Sequence, residues 1–161
     1  MVVCGHRLSE GCDLSNKERL ASFLKALDEV GIICFNKKRF DHRLKLQKYV
    51  YIARNLGFKA PYNYSLYIHG PYSSSLADDY YAIDDFKDKN SIELDERFVK
   101  LVRDKSEKWL ELASTIIMIR KRYVCINRHE LIELVQTAKP YATADCLSEI
   151  IDLLRKYDLP S

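Results

Sequence analysis

From Phe98 to Tyr123 the apolar residues keep a single helical phase. Phe98, Val99, Leu101, Val102, Trp109, Leu110, Leu112, Ala113, Ile116, Ile117, Ile119 and Tyr123 fall on one side of a helical wheel. A stripe this long must be covered along its length, so several other elements have to pack against it. The phase runs through the polar stretch Arg103–Glu107. That predicts one continuous helix from about Glu96 to Tyr123, capped by Asp95, with Leu94 and Val99 placed for a hydrophobic staple. Tyr123–Ile126 then reads as a departure from the helix, with a short strand as one form.

Little in the chain interrupts helices. Only five Gly and four Pro occur in 161 residues. Ser15-Asn16-Lys17-Glu18 has the form of a capping box, and Leu20, Phe23, Leu24 and Leu27 follow at helical spacing until Gly31. Ile32–Phe35 reads as strand or extended chain. A second helix is expected from about Asp41 to Leu56, stopped by Gly57. Leu46, Tyr49, Val50, Ile52, Ala53 and Leu56 cover one face of it, and Phe40, Leu44 and Tyr51 form a second stripe. A helix apolar on two sides is packed on two sides, so this is read as the central helix, with Lys45, Lys48 and Arg54 emerging between neighbours.

Tyr62–Ile68 is extended in character, His69-Gly70-Pro71-Tyr72 reads as a turn, and Ser73 caps a short helix to about Tyr81. Asn127-Arg128-His129-Glu130 is a second capping box, opening a helix that Pro140 ends; a last helix follows Thr143 with Ile150, Ile151, Leu153 and Leu154 inward. The fold class expected is mostly α. It is a single-domain bundle of about six helices over residues 1–161 with minor short strands, for which a winged-helix-like arrangement is one option, and residues 1–14 are expected as a flexible tail.

Composition narrows the function classes. The formal net charge is +3, with 26 basic residues against 23 acidic, which does not mark an obligate nucleic-acid binder. No apolar run reaches the ~20 residues of a membrane span, and Met1–Arg7 has no apolar core of a signal peptide. The five cysteines are scattered and odd in number, so a cytoplasmic protein with reduced thiols is expected. Cys4, His6 and Cys12 could supply three zinc ligands, but without a paired spacing or a fourth ligand, so no metal and no cofactor are expected.

Several constellations admit more than one reading. His69 beside Ser73 has the makings of a base and a nucleophile, but no third orienting group accompanies them; the plainer reading is a turn and a cap. Asp78, Asp79, Asp84 and Asp85 form an acidic group, expected as a solvated face. Arg120-Lys121-Arg122 suits the negative end of a helix. Eight of the eleven tyrosines lie between Tyr49 and Tyr81, downstream of Lys37, Lys38, Arg39, Arg43, Lys45 and Lys48. Such a mixture suits stacking on nucleic acid, a protein interface, or a half-buried core, with core the first expectation.

Two short blocks carry a resemblance. Lys45-Leu46-Gln47-Lys48-Tyr49-Val50-Tyr51, then Tyr67-Ile68-His69-Gly70-Pro71-Tyr72-Ser73 with Leu76 and Asp79, resembles the K-L-Q-K-x-x-Y … Y-G-P-Y-S-x-x-L-x-x-D pattern of YwgA-like small prokaryotic proteins. It is similar, more distantly, to the SocA-like (Panacea) antitoxin-associated domain. Lys139-Pro140 before an amphipathic helix fits the later part of the pattern, while His69 departs from it.

The resemblance implies a mostly helical fold and, for the antitoxin branch, a regulatory protein partner without enzymatic activity. The expected function is therefore a binding or regulatory module, antitoxin-like or an adaptor. Its partner-binding residues are expected to be Lys45, Lys48, Tyr67, His69, Tyr72, Ser73 and Asp79. The alternatives are a nucleic-acid-binding module using the Lys/Tyr surface, and an enzyme using His69, Tyr72 and Asp79.

Overall fold

A computed structural model describes residues 14–161. The expectations for a tail and for Cys4, His6 and Cys12 fall outside those residues. The chain runs α1 (Asn16–Glu29), α2 (Phe40–Arg54), β1 (Ser65–Tyr67), β2 (Gly70–Tyr72), α3 (Ser74–Ala82), α4 (Glu96–Val102), α5 (Glu107–Arg122), α6 (Arg128–Ala138) and α7 (Ala144–Lys156). The protein is mostly helical, with one antiparallel hairpin that pairs Ser65 with Tyr72, Leu66 with Pro71 and Tyr67 with Gly70.

The helix starts follow local chemistry. Ser15, Ser73, Asp95, Asn127 and Thr143 each accept a backbone N–H of the first turn of their helix through the side chain. Asn127 and Glu130 complete a reciprocal capping box. Gly31 and Gly57 follow α1 and α2 with positive φ, as chain turning sharply out of a helix requires.

One long helix was expected from Glu96 to Tyr123, and the chain instead breaks at Arg103–Ser106. Asp104 takes φ 60°, and Ser106 caps a new helix through Trp109 N. The Arg103 guanidinium donates to Val30 O at 2.9 Å, tying the break to the end of α1. A wheel records angle about an axis and is blind to a change of axis, so the stripe kept its phase across the turn. This split accounts for seven helices among the described residues where about six were expected. Tyr123–Ile126 forms a turn, not a strand.

The stripe is buried by the surrounding elements. α5 packs against α2, α6, α7 and β2, and α2 also meets β2 and α4. α2 is enclosed on all sides from Leu46 to Ala53, as two apolar stripes demand. Lys48 does not emerge between neighbours; it is buried within this stretch.

Candidate interaction site around the hairpin

The two resembling blocks meet in space. Gln47, fully buried on α2, holds the backbone of Ser73 from both sides: its Nε2 donates to Ser73 O, and its Oε1 accepts from Ser73 N, both at 2.9 Å. Two residues before Ser73, Pro71 O accepts from Lys48 Nζ at 2.7 Å. Gly70 has φ +87°, and a Cβ placed there would stand 3.1 Å from Thr115 Oγ1 and 3.4 Å from the Glu111 carbonyl. Glycine suits both this positive φ and the close approach of β2 to α5, which a Cβ would crowd. The Ser73 hydroxyl accepts from Leu76 N and shares a hydrogen bond with Ser75, so it is a cap.

Beneath the hairpin tip lies a cluster of buried charge. Glu111 on α5 accepts from Lys139 Nζ at 2.9 Å and from the Tyr141 hydroxyl at 2.7 Å. Lys139 also donates to Ile68 O at 2.6 Å. Burial opposes the Glu111 carboxylate, yet the hydrogen bonds from Tyr141 and Lys139 hold its pKa below the usual value. Burial and the bond to Glu111 push the Tyr141 hydroxyl up. Burial lowers the Lys48 ammonium to about 8, with Glu111 opposing the shift and Lys139 adding to it. His69 Nδ1 stands 3.7 Å from Glu111 Oε1, an ion pair when the ring is protonated. A cavity of about 140 Å³ opens here, walled by Phe40, Leu44 and Lys48, with His69 and Lys108 at its sides.

The residues singled out from the sequence part into groups. Tyr67 and His69 are exposed at the hairpin, Tyr72 is half-buried with its ring 5.5 Å from that of Tyr67, and Lys45 is half-buried on α2. Lys48 and Ser73 are buried and hold the hairpin from below. Asp79 accepts from the Tyr62 hydroxyl at 2.7 Å, and Tyr62 in turn lies against α1. The trio His69, Tyr72 and Asp79 is thus divided among separate neighbours: His69 faces Glu111 and Phe40, Tyr72 faces Tyr67, and Asp79 faces Tyr62. Of the acidic group, Asp84 pairs with Lys37, whose ammonium also binds the carbonyls of Tyr81 and Ile83 at the end of α3. Among the described residues no His, Cys, Asp and Glu grouping suits a metal ion.

No family model matches the chain, and neither does any curated protein or solved structure. The site therefore rests on its own geometry. Sequence reasoning missed Glu111, Lys139, Tyr141 and Phe40. One signal was present: Glu111 is an acid set between Leu110 and Leu112 in an apolar stripe, where an acid needs a buried partner. Above the cluster the surface is apolar and aromatic. Ile68 is 82% exposed and Phe40 57%, with Tyr67, Tyr81 and Tyr141 also open. The Arg43 guanidinium lies over both the Phe40 and Tyr81 rings, and Phe40 meets His69 edge-on, so the patch runs from α3 to the hairpin tip. Among the described residues no helix is long and apolar enough to cross a membrane.

Proposed function

We propose that this chain is a protein-binding regulatory module, antitoxin-like or an adaptor, that meets its partner through the hairpin tip and the aromatic surface beside it. One observation carries the reading: large apolar side chains are held open to solvent on backbone that is fastened from beneath. Ile68 presents its side chain outward while its carbonyl is bonded to Lys139, the next strand is held by Lys48 at Pro71, and Gln47 holds Ser73 just beyond it. Exposed Ile, Phe and Tyr with an Arg among them is the composition of an interface core, and a rigid backbone lowers the entropy lost on docking. The resemblance to the SocA-like antitoxin-associated domain points the same way.

A protein partner is favoured over nucleic acid because several of the basic residues near α2 are already bonded to other groups of the chain. Lys48 is buried, Lys37 ties the end of α3, Arg39 pairs with Asp41, and Arg54 donates to Tyr62 O. An enzyme is disfavoured by the separate neighbours of His69, Tyr72 and Asp79. A cytoplasmic setting fits Cys34, Cys125 and Cys146, which form no disulfide among the described residues.

The test is affinity capture of partners, followed by binding measurements with the captured protein for wild type, Ile68→Asp and Phe40→Ala. Circular dichroism establishes that each variant is folded. Ile68→Asp is expected to weaken binding at least tenfold, about 1.4 kcal/mol. Unchanged affinity in both folded variants refutes the surface. Capture of nucleic acid whose affinity falls steeply with salt instead replaces the protein reading.

A further inference from the structure

The buried cluster is electrically incomplete. Lys48, Lys139 and Glu111 are 2%, 4% and 6% exposed, so two ammonium groups share one carboxylate. Glu111 is taken by Lys139 and Tyr141. Among the described residues Lys48 Nζ has one hydrogen-bond acceptor, the Pro71 carbonyl, although an ammonium carries three donors. Among the described residues no carboxylate lies within ion-pair distance of Lys48; burial lowers its pKa, and Glu111 opposes that shift only in part. Lys48 lines the 140 Å³ cavity.

We infer that this cavity is a carboxylate-binding site, which receives an acidic side chain of the protein that docks on the surrounding aromatic surface. The inference rests on the reading of that surface as a protein-binding site. The lining matches such a group on three counts. Lys48 supplies charge and unused donors, and Lys108, held 4.4 Å over the Tyr141 ring, supplies a second cation at the side. Phe40 and Leu44 form an apolar wall for the methylenes of Asp or Glu. Glu107 and Glu111 also line the cavity and repel any anion in proportion to its charge, so a phosphate dianion is opposed more strongly than a singly charged, planar carboxylate. The volume is about that of four or five water molecules at ~30 Å³ each, enough for a carboxylate and one or two methylenes.

Propionate serves as the probe, with chloride at equal ionic strength and inorganic phosphate as comparison arms. Amide spectra of the ¹⁵N-labelled full chain are expected to shift saturably with propionate at His69, Gly70 and Glu111. The side-chain carbon titration of Lys48 is expected to move up by at least one pH unit, a tenfold change in proton affinity, because a bound anion favours the charged amine. Lys48→Met abolishes the saturable shifts. If that variant does not fold, Lys108→Glu, altered at an exposed position, is expected to weaken propionate at least threefold. Shifts that do not saturate, that equal those with chloride, or that leave the Lys48 titration in place overturn the inference; so does phosphate binding as tightly as propionate. Loss of propionate binding with partner binding still sensitive to Ile68→Asp defeats this inference alone. A partner indifferent to Ile68→Asp defeats the interface reading instead, whatever propionate does.

Discussion

Replacing Gln47 by leucine tests whether the resembling blocks act as a structural latch. The side chain is fully buried, and it satisfies both the N–H and the C=O of Ser73 at 2.9 Å. Leucine is close in size, so little cavity is created, but both backbone groups lose their partner. A buried polar group left unpaired costs about 1–3 kcal/mol, which puts Gln47→Leu at about 2–6 kcal/mol. The neighbouring Leu46→Ala, which empties a fully buried site, gives a comparison of about 2–5 kcal/mol by a different route.

Urea unfolding supplies the global value, and amide exchange separates the mechanisms. In Gln47→Leu the Ser73 amide and the start of α3, which Ser73 caps, are expected to lose protection before the rest of the core. In Leu46→Ala protection is expected to fall throughout the core. A loss below about 1 kcal/mol in Gln47→Leu, with Ser73 exchange unchanged, refutes the latch. A loss below about 1 kcal/mol in Leu46→Ala refutes the central position of α2.

Gly70→Ala is expected to destabilise twice over, by about 1–2 kcal/mol for φ +87° and by about 1–3 kcal/mol for crowding the Thr115 and Glu111 side chains of α5; thermal unfolding within 1 °C of wild type contradicts the close approach. Stability is also expected to rise with pH from about 8 to about 9, since Lys48 releases its proton near 8 when folded and near its ordinary 10.5 when unfolded, so the unfolded chain binds more protons across that window. Urea titrations at pH 7.5 and 9.0 are expected to differ by on the order of 1 kcal/mol in favour of the higher pH, and Lys48→Met is expected to remove the gain. Above about pH 9 the trend reverses, because burial pushes Tyr49, Tyr51 and Tyr80 up to about 12, and raises Tyr62, Tyr64 and Tyr141 as well, so the unfolded chain releases protons the native state keeps. A stability that falls steadily from pH 8 upward contradicts the burial of Lys48.

What the sequence determined by itself was the local architecture. Ser15, Ser73, Asp95, Asn127 and Thr143 bond to backbone two or three residues away, so the helix starts are written into short stretches of chain. The burial of α2 was legible for the same reason, since two apolar stripes on one helix need no knowledge of what covers them. The break at Asp104 was missed because periodicity carries no record of a helix axis, although Ser106 ahead of Glu107 was a cap in plain view. The site was another matter. Its polar bonds join residues far apart in the chain: Lys48 to Pro71 across 23 positions, Gln47 to Ser73 across 26, Lys139 to Ile68 across 71. No propensity or period encodes such a partner. Whether a lysine in an apolar stretch snorkels to water or turns inward depends on a carbonyl that only the packed hairpin brings within reach, and the tertiary structure decided that for Lys48, Lys139 and Glu111 together.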